Sequence, residues 1–283
     1  MQTSSDRPAI TIVGHVCIDH NTVEGVYQES WGSAALYIAH YLVSQHHIQP
    51  KVYAKYGNDL SSFIDTNLFI NRPSHSHPTL IYKNTITDGV RIQSVANESW
   101  VAPRKLSSSL ARALATTDIL IIAPLLPDHS PAFIRQLCQA LPSHAMKILL
   151  PQGYYRSVDT TGQIAIRSFK ESRDILPLID VIIQSDEDSQ DAIAVSQEWV
   201  RANPNLTAVV THNSDGVSAF TYDQSLSLPT TPVSADNIVN PVGAGDVFSA
   251  ELALSLQRDT SLQDALANAQ HAAYRHISGK NSD

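Results

Sequence analysis

Hydrophobic and polar positions along the chain alternate between short apolar runs and longer segments with one apolar face. Ala9 to Val13 is apolar and β-branched and closes on Gly14, the pattern of a buried strand. Ser33 to Ser44 places Ala35, Ile38, Ala39, Leu42 and Val43 on one helical face. Lys51 to Lys55 predicts a short strand before the turn Gly57-Asn58-Asp59. Thr79 to Lys83 and Val90 to Val95 predict a hairpin around Thr87-Asp88-Gly89. Asp118 to Ala123, Lys147 to Leu150, Val181 to Gln184 and Leu206 to Thr211 repeat the buried-strand pattern, with a helix expected from about Ser130 to Leu141. Val217 to Tyr222 can pair with Leu226 to Leu228, and two helices, Ala244 to Gln257 and Ser261 to Ile277, follow. Strands alternating with helices predict an α/β fold with a mostly parallel sheet covered on both faces. The early hairpin breaks that rhythm and is expected to form a small lid.

Composition narrows the partners. A chain of 283 residues with a 43% apolar fraction can bury one large core. Its formal charge of −8 disfavours nucleic acid, which needs a basic face. No apolar run is long enough for a bilayer, and Met1 to Pro8 is polar, so the expectation is no membrane partner and a cytoplasmic location. Cys17 and Cys138 make no disulfide framework or metal spacing. His75 and His77 lie in the loop Asn71 to Pro78 with no further ligand nearby, and read as solvated.

The stretch most informative about chemistry is Asn240-Pro241-Val242-Gly243-Ala244-Gly245-Asp246. Glycine lets the backbone approach a ligand closely, and the first N–H groups of a helix have no internal partner, so this helix start can hold an anion. Asp246 at the same mouth is poorly placed for resting phosphate. It is well placed to take a proton from a hydroxyl attacking a phosphoryl group. A plain glycine-rich helix start, with Asp246 complementing the helix dipole, is the other reading of these residues.

Gly243-Ala244-Gly245-Asp246 resembles the signature of the ribokinase/PfkB kinase family, and further landmarks of that family follow in order along nearly the whole chain. Gly14-His15-Val16-Cys17-Ile18-Asp19 resembles the first strand and its substrate-binding aspartate. Trp31-Gly32-Ser33-Ala34-Ala35 resembles the Gly-Gly segment that opens the first helix, with Trp31 in place of the first glycine. Tyr56-Gly57-Asn58-Asp59 resembles the Gly-Asp-Asp turn. Pro151-Gln152-Gly153-Tyr154-Tyr155-Arg156 resembles a strand-end motif, with Leu150 where an aspartate is usual. Gln184-Ser185-Asp186-Glu187 resembles Asn-x-x-Glu, and Thr211-His212-Asn213-Ser214-Asp215-Gly216 resembles the Thr-x-Gly-x-x-Gly turn beside the nucleotide. The segment from Ala267-Asn268 to Ala273 resembles the helix flanking the adenine.

The resemblance implies a ribokinase-like three-layer α/β/α fold, one domain over 1–283 with a lid from about 20–31 and 79–98. It implies an ATP-dependent kinase acting on a hydroxyl of a small polyol or sugar, with ATP and Mg²⁺ as cofactors. Asp246 would be the base, and Gly243, Ala244 and Gly245 the anion hole. Asp19, Gly32, Asn58, Gln152 and Arg156 would meet substrate. Gln184, Thr211, Asn213, Gly216 and Asn268 would meet nucleotide, and Glu187 the metal. Arg91, in the hairpin, reads as a solvated charge rather than a substrate contact. The short stretch from Asp19 to Gly32 resembles the subgroup of inositol and nucleoside kinases, and the expected assembly is a monomer or homodimer. Two alternatives stand beside this: a nucleoside kinase, with Trp31 or Tyr37 stacking on the base, and a non-catalytic binding member, motivated by Asn240, Gln184 and Asn213 where the family has Asp, Asn and Gly.

Overall fold

The structure is a computed structural model and describes residues 7–279 except 104 and 190. In chain order the strands are β1 (Ile10–Gly14), β2 (Cys17–Val23), β3 (Val26–Gly32), β4 (Lys51–Tyr53), β5 (Leu80–Thr87), β6 (Val90–Ala96), β7 (Ile119–Ala123), β8 (Met146–Leu149), β9 (Arg156–Val158), β10 (Ile164–Ile166), β11 (Val181–Ser185), β12 (Thr207–Thr211), β13 (Val217–Phe220) and β14 (Ser225–Leu228). The helices are α1 (Ala34–His46), α2 (Ser108–Leu114), α3 (Pro131–Gln139), α4 (Ser172–Ile175), α5 (Ala192–Ala202), α6 (Ala244–Gln257) and α7 (Leu262–Ser278).

Eight strands form the central sheet in the order β14-β13-β12-β11-β8-β7-β1-β4. The pairs from β4 across to β12 are parallel, and β13 and β14 add an antiparallel edge. Alternation along each strand feeds two cores. In β7, Ile119 and Ile121 pack with α1, α6 and α7, while Leu120 and Ile122 pack with α2, α3 and α5. Every residue of α6 from Val247 to Ser255 is buried, because α1, α7 and the sheet surround it. Its one charge there, Glu251, accepts from Tyr41 Oη at 2.7 Å, and its Oε2 lies 2.8 Å from His46 Nε2. This is the three-layer α/β/α arrangement expected.

The second sheet has four strands in the order β3-β2-β5-β6, with β2 and β5 parallel and a hairpin on each side. Both hairpins close on two left-handed residues, Glu24-Gly25 (φ 46°, 82°) and Asp88-Gly89 (φ 51°, 75°), which match the twist of the flanking strands. Asp19 therefore lies on β2 of this sheet rather than at the end of β1. The entry to β5 is pinned to the preceding loop: Asp59 accepts from the Thr79 N–H at 3.0 Å and from the Thr79 hydroxyl at 2.5 Å. β6 also meets the β9–β10 hairpin, where the Val95 N–H donates to the Gly162 carbonyl at 2.8 Å.

Candidate active site

The site gathers at the carboxyl ends of the parallel strands, where open α/β sheets place ligands. The chain leaving β1 carries Cys17 and Asp19, the loop after β7 carries Leu125, and the segment after β8 carries Gln152 and Arg156. All of them line a cleft of about 550 Å³ with Ser33, Tyr37, Tyr82, Asn84, Arg91, Gln93, Gly243 and Asp246. A second cleft, of about 1100 Å³, runs between the Thr211–Gly216 turn, the 230–238 segment and α7. Ala244 and Gly245 line this second cleft, while Gly243 and Asp246 line the first. The four-residue helix start is thus the wall between two cavities.

That wall is held in a fixed shape. Gly243 sits at φ 82°, and a β-carbon there would come within 2.7 Å of Tyr37 Cγ. Asn240 Oδ1 accepts from the Val242 N–H at 3.0 Å. His276 Nε2 donates to the Val242 carbonyl at 2.7 Å, and the Val239 N–H donates to Ile277 O at 2.8 Å, so the end of α7 tethers the loop. In a trans peptide the C=O and the following N–H point oppositely. Fixing the Val242 carbonyl on His276 therefore aims the Gly243 N–H away from α7. Burial pushes the Asp246 carboxyl up to about 7.

Asp19 is half-buried. Cys17 Sγ donates to its Oδ1 at 3.2 Å. Burial raises its carboxyl above the usual range, against the pull of Cys17, Arg91 and Arg156. Burial and the neighbouring Asp19 keep the Cys17 thiol protonated. A β-carbon on Gly32 would stand within 2.6 Å of Asp19 Oδ1, so glycine is what gives the carboxylate its place. Arg156 donates to Leu125 O at 3.2 Å and stacks over Tyr82, 5.0 Å from the ring centroid. The Leu125 N–H in turn donates to His15 Nδ1 at 3.0 Å. That leaves the His15 proton on Nε2, 3.0 Å from Asp128 Oδ2, while His129 Nδ1 lies 2.7 Å from Asp128 Oδ1. This buried His15–Asp128–His129 cluster is the sole group of three metal-ligand side chains among the described residues. A metal-bound histidine usually donates its other N–H outward, whereas His15 Nδ1 accepts. The cluster is accounted for as a clamp on the cleft wall.

The other sequence-predicted residues divide. Thr211, Asn213 and Gly216 line the second cleft. Asn213 adopts φ 48°, a left-handed conformation that asparagine tolerates, so the missing glycine is accommodated. Glu187 is exposed at that cleft's rim, and its Oε1 accepts from Asn213 Nδ2 at 2.9 Å. Four other predicted residues line neither cleft: Gly32, which packs against the Asp19 carboxylate, and Gln184, Asn268 and Asn58. Gln184 is buried, its Nε2 donating to Ser196 Oγ at 2.9 Å and its Oε1 accepting from Tyr155 Oη. Asn268 faces α6, donating to Ser255 Oγ at 3.3 Å. Asn58 is exposed, its Nδ2 within 2.8 Å of His75 Nδ1. His77 stacks on Trp100 with centroids 5.0 Å apart. Trp31 packs on Tyr37 and lines a separate groove, not the first cleft. Arg91, expected as a solvated charge, is exposed and also lines the cleft, anchored to Asn84 Oδ1 at 3.0 Å. Tyr82, Asn84, Gln93 and Tyr274 were missed. One further detail moves: the position demanding glycine in the Trp31-Gly32-Ser33 segment is Ser33, at φ 112°, ψ 149°, rather than Trp31.

The fold has relatives among solved structures. The fold resembles a pyrophosphate-dependent kinase of the ribokinase family complexed with a pyrophosphate analogue and myo-inositol (19% identity, 95% of this chain and 94% of that one, TM-score 0.74). It also resembles Arabidopsis thaliana ribokinase complexed with ribose and ATP (15% identity, 97% and 94%, TM-score 0.74) and the nucleoside kinase of Methanocaldococcus jannaschii (14% identity, 97% and 93%, TM-score 0.70). A fructokinase of Rhizobium leguminosarum bv. trifolii is 33% identical over 89 residues, 29% of this chain and 26% of that protein. The pfkB family carbohydrate kinase profile matches residues 73–282, most of the chain and the whole of the Gly243–Asp246 wall. The chain therefore belongs to the pfkB family of carbohydrate kinases.

Proposed function

We propose that this kinase transfers the γ-phosphoryl group of ATP to a hydroxyl of a small polyol or sugar. The observation that carries this reading is the division of the Gly243–Asp246 wall. Asp246 faces the smaller, polar cleft, and the amide-bearing residues Ala244 and Gly245 face the larger one. A hydroxyl in the first cleft and a phosphoryl group in the second meet across four residues. Asp246 takes the hydroxyl proton as the new O–P bond forms and the bond from the γ-phosphorus to the β-phosphate oxygen breaks, ADP leaving with that electron pair, and the first-turn N–H groups of α6 stabilise charge on the transferring group.

ATP is favoured over pyrophosphate as donor because the second cleft continues well past the amides. Val233, Ile238, Phe248, Tyr274 and Ile277 give it apolar lining suited to a nucleobase, and pyrophosphate would leave that surface empty. Magnesium fits the same rim: Glu187 offers an exposed carboxylate one hydrogen bond from the cleft wall, with Asp186 adjacent. The ion would neutralise phosphate charge there.

The nucleoside reading loses Trp31 as a stacking surface, since it packs outside the first cleft, and keeps Tyr37, which lines that cleft. The non-catalytic reading rested on three departures from the family. Asn240 caps Val242, Asn213 takes its left-handed turn, and Gln184 joins an internal network, so each has a structural account. The test is nucleotide release from ATP–Mg²⁺, and orthophosphate release from pyrophosphate, across polyols, sugars and nucleosides. Turnover with ATP and a polyol or sugar is expected. Turnover with nucleosides alone, or with pyrophosphate alone, would overturn the corresponding half of the proposal.

A further inference from the structure

The hydroxyl cleft carries a mismatch of hydrogen-bonding types. Asp19 and Asp246 are its acceptor-only groups when ionised, and each is suited to a hydroxyl. Against them stand Arg91 and Arg156, with five N–H donors each. Arg91 donates to Asn84 Oδ1 and, with the Gln93 amide in its satisfied orientation, to Gln93 Oε1, and Arg156 donates to the Leu125 carbonyl, so both guanidinium groups are bound only to neutral acceptors. Among the described residues neither guanidinium lies within ion-pair distance of a carboxylate, although both pull on Asp19 across the cleft. Tyr82 lines the same wall with its ring under Arg156, and its buried hydroxyl has no hydrogen-bond partner. Burial raises this hydroxyl to about 12, so at neutral pH it remains a donor.

A neutral polyol answers such a wall poorly. Each hydroxyl that accepts from a guanidinium must also donate; the carboxylates are matched to the reacting and binding hydroxyls, and Asn84 Oδ1 already accepts from Arg91, which leaves Gln152 and Ser33 as the neutral acceptors of the wall. An anionic oxygen accepts several N–H bonds and returns none, and guanidinium geometry suits carboxylate and phosphate alike. The cations are also unevenly placed: Arg91 and Arg156 line the hydroxyl cleft, whereas no Lys, Arg or His among the described residues lines the larger cleft. The donor's phosphates, held at the amides of α6, do not account for a guanidinium on β6 of the second sheet.

We propose that the acceptor is a hydroxylated anion, a sugar or polyol bearing a carboxylate or a phosphomonoester, with Arg91, Arg156 and Tyr82 receiving the anionic group. This rests on the kinase reading above and names the substrate class within it. Lid strands carrying Arg91 and Tyr82 would then close on the charged end, leaving the opposite hydroxyl toward Asp246.

The experiment compares matched acceptors: glucose, gluconate and glucose 6-phosphate, and myo-inositol with its monophosphate. Turnover gives kcat/KM for each, and calorimetry without ATP gives binding. The expected result is a preference for an anionic member over its neutral partner on the order of tenfold or more in kcat/KM. Arg156→Gln and Arg91→Gln should each reduce that ratio, mainly through KM. Because Arg156 also holds Leu125, Arg91→Gln on its exposed strand separates recognition from folding. Comparing carboxylate with phosphate identifies which anion is used. A preference for the neutral members, or a ratio unchanged in both variants, overturns the inference and leaves the kinase reading standing. If nothing is phosphorylated the kinase reading falls, and calorimetry decides the inference: tighter binding of the anions that is weakened in the variants supports it, and equal binding of both classes overturns it.

Discussion

The Asp19 carboxylate occupies the space that a side chain on Gly32 would need: a β-carbon there would lie within 2.6 Å of Asp19 Oδ1. The two residues sit on paired strands, with Asp19 opposite Ser30 and Gly32 opposite Cys17. Gly32 is not at positive φ, so alanine suits the backbone and the damage should be confined to the carboxylate. Gly32→Ala should therefore raise the acceptor KM on the order of tenfold, with thermal stability changed little. Steady-state kinetics beside a melting curve checks this. An unchanged KM would remove Asp19 from acceptor binding.

Ser33 invites the opposite change. Its φ of 112° and ψ of 149° lie in a region that glycine alone enters readily, and the side chain caps α1 through the Leu36 N–H at 3.3 Å. Losing the cap to glycine costs a few tenths of a kcal/mol, while the strain is worth about 1–3 kcal/mol. Ser33→Gly should stabilise the protein by roughly 1 kcal/mol, read from the denaturant midpoint.

Gly243 has no such latitude. It combines φ 82° with a β-carbon position within 2.7 Å of the Tyr37 ring. Gly243→Ala should move the loop and its amides, lowering kcat on the order of 100-fold while ATP binding persists. Rapid-mixing kinetics and nucleotide titration separate the two effects.

The raised Asp246 carboxyl makes a signed prediction about pH. Burial lifts it from 3.8 to about 7, so the folded protein holds this proton where the unfolded chain has released it. Stability from this group is present at low pH and falls as pH rises from about 4 to about 7. Asp246→Asn, which stays neutral, should match wild type near pH 4 and exceed it by roughly 1–3 kcal/mol above pH 7, after allowing for the group's partial exposure. Wild-type kcat/KM should climb through about pH 7 as the base ionises.

The buried strands were readable because both faces of the central sheet are apolar. The 20–31 stretch was expected in the lid but not as two strands, because residues on both faces, His20 on one and Asn21 and Gln28 on the other, are polar on a sheet with little core. Its one local signal was Glu24-Gly25 between Val23 and Val26. Gln184 was misplaced because motif spacing says nothing of side-chain direction. Strand period does: Ile182 packs in the α5 core, and Gln184, two residues on, points the same way to Ser196. Helical period likewise separates Asn268 from the cleft-lining face of α7, where Gln270, Ala273, Tyr274 and Ile277 recur at i, i+3, i+4 and i+7. Arg91 and Tyr82 needed the strand pairing of the second sheet, which sets Tyr82 beside Asp19 across β2 and β5 and carries Arg91 on the adjoining β6.

The most direct test is a single-turnover measurement of phosphoryl transfer from ATP by wild type and Asp246→Asn, with ATP binding measured on the same samples. The account predicts that the variant binds ATP as wild type does and loses transfer by several orders of magnitude. Transfer within tenfold of wild type would contradict the assignment of Asp246 as the base.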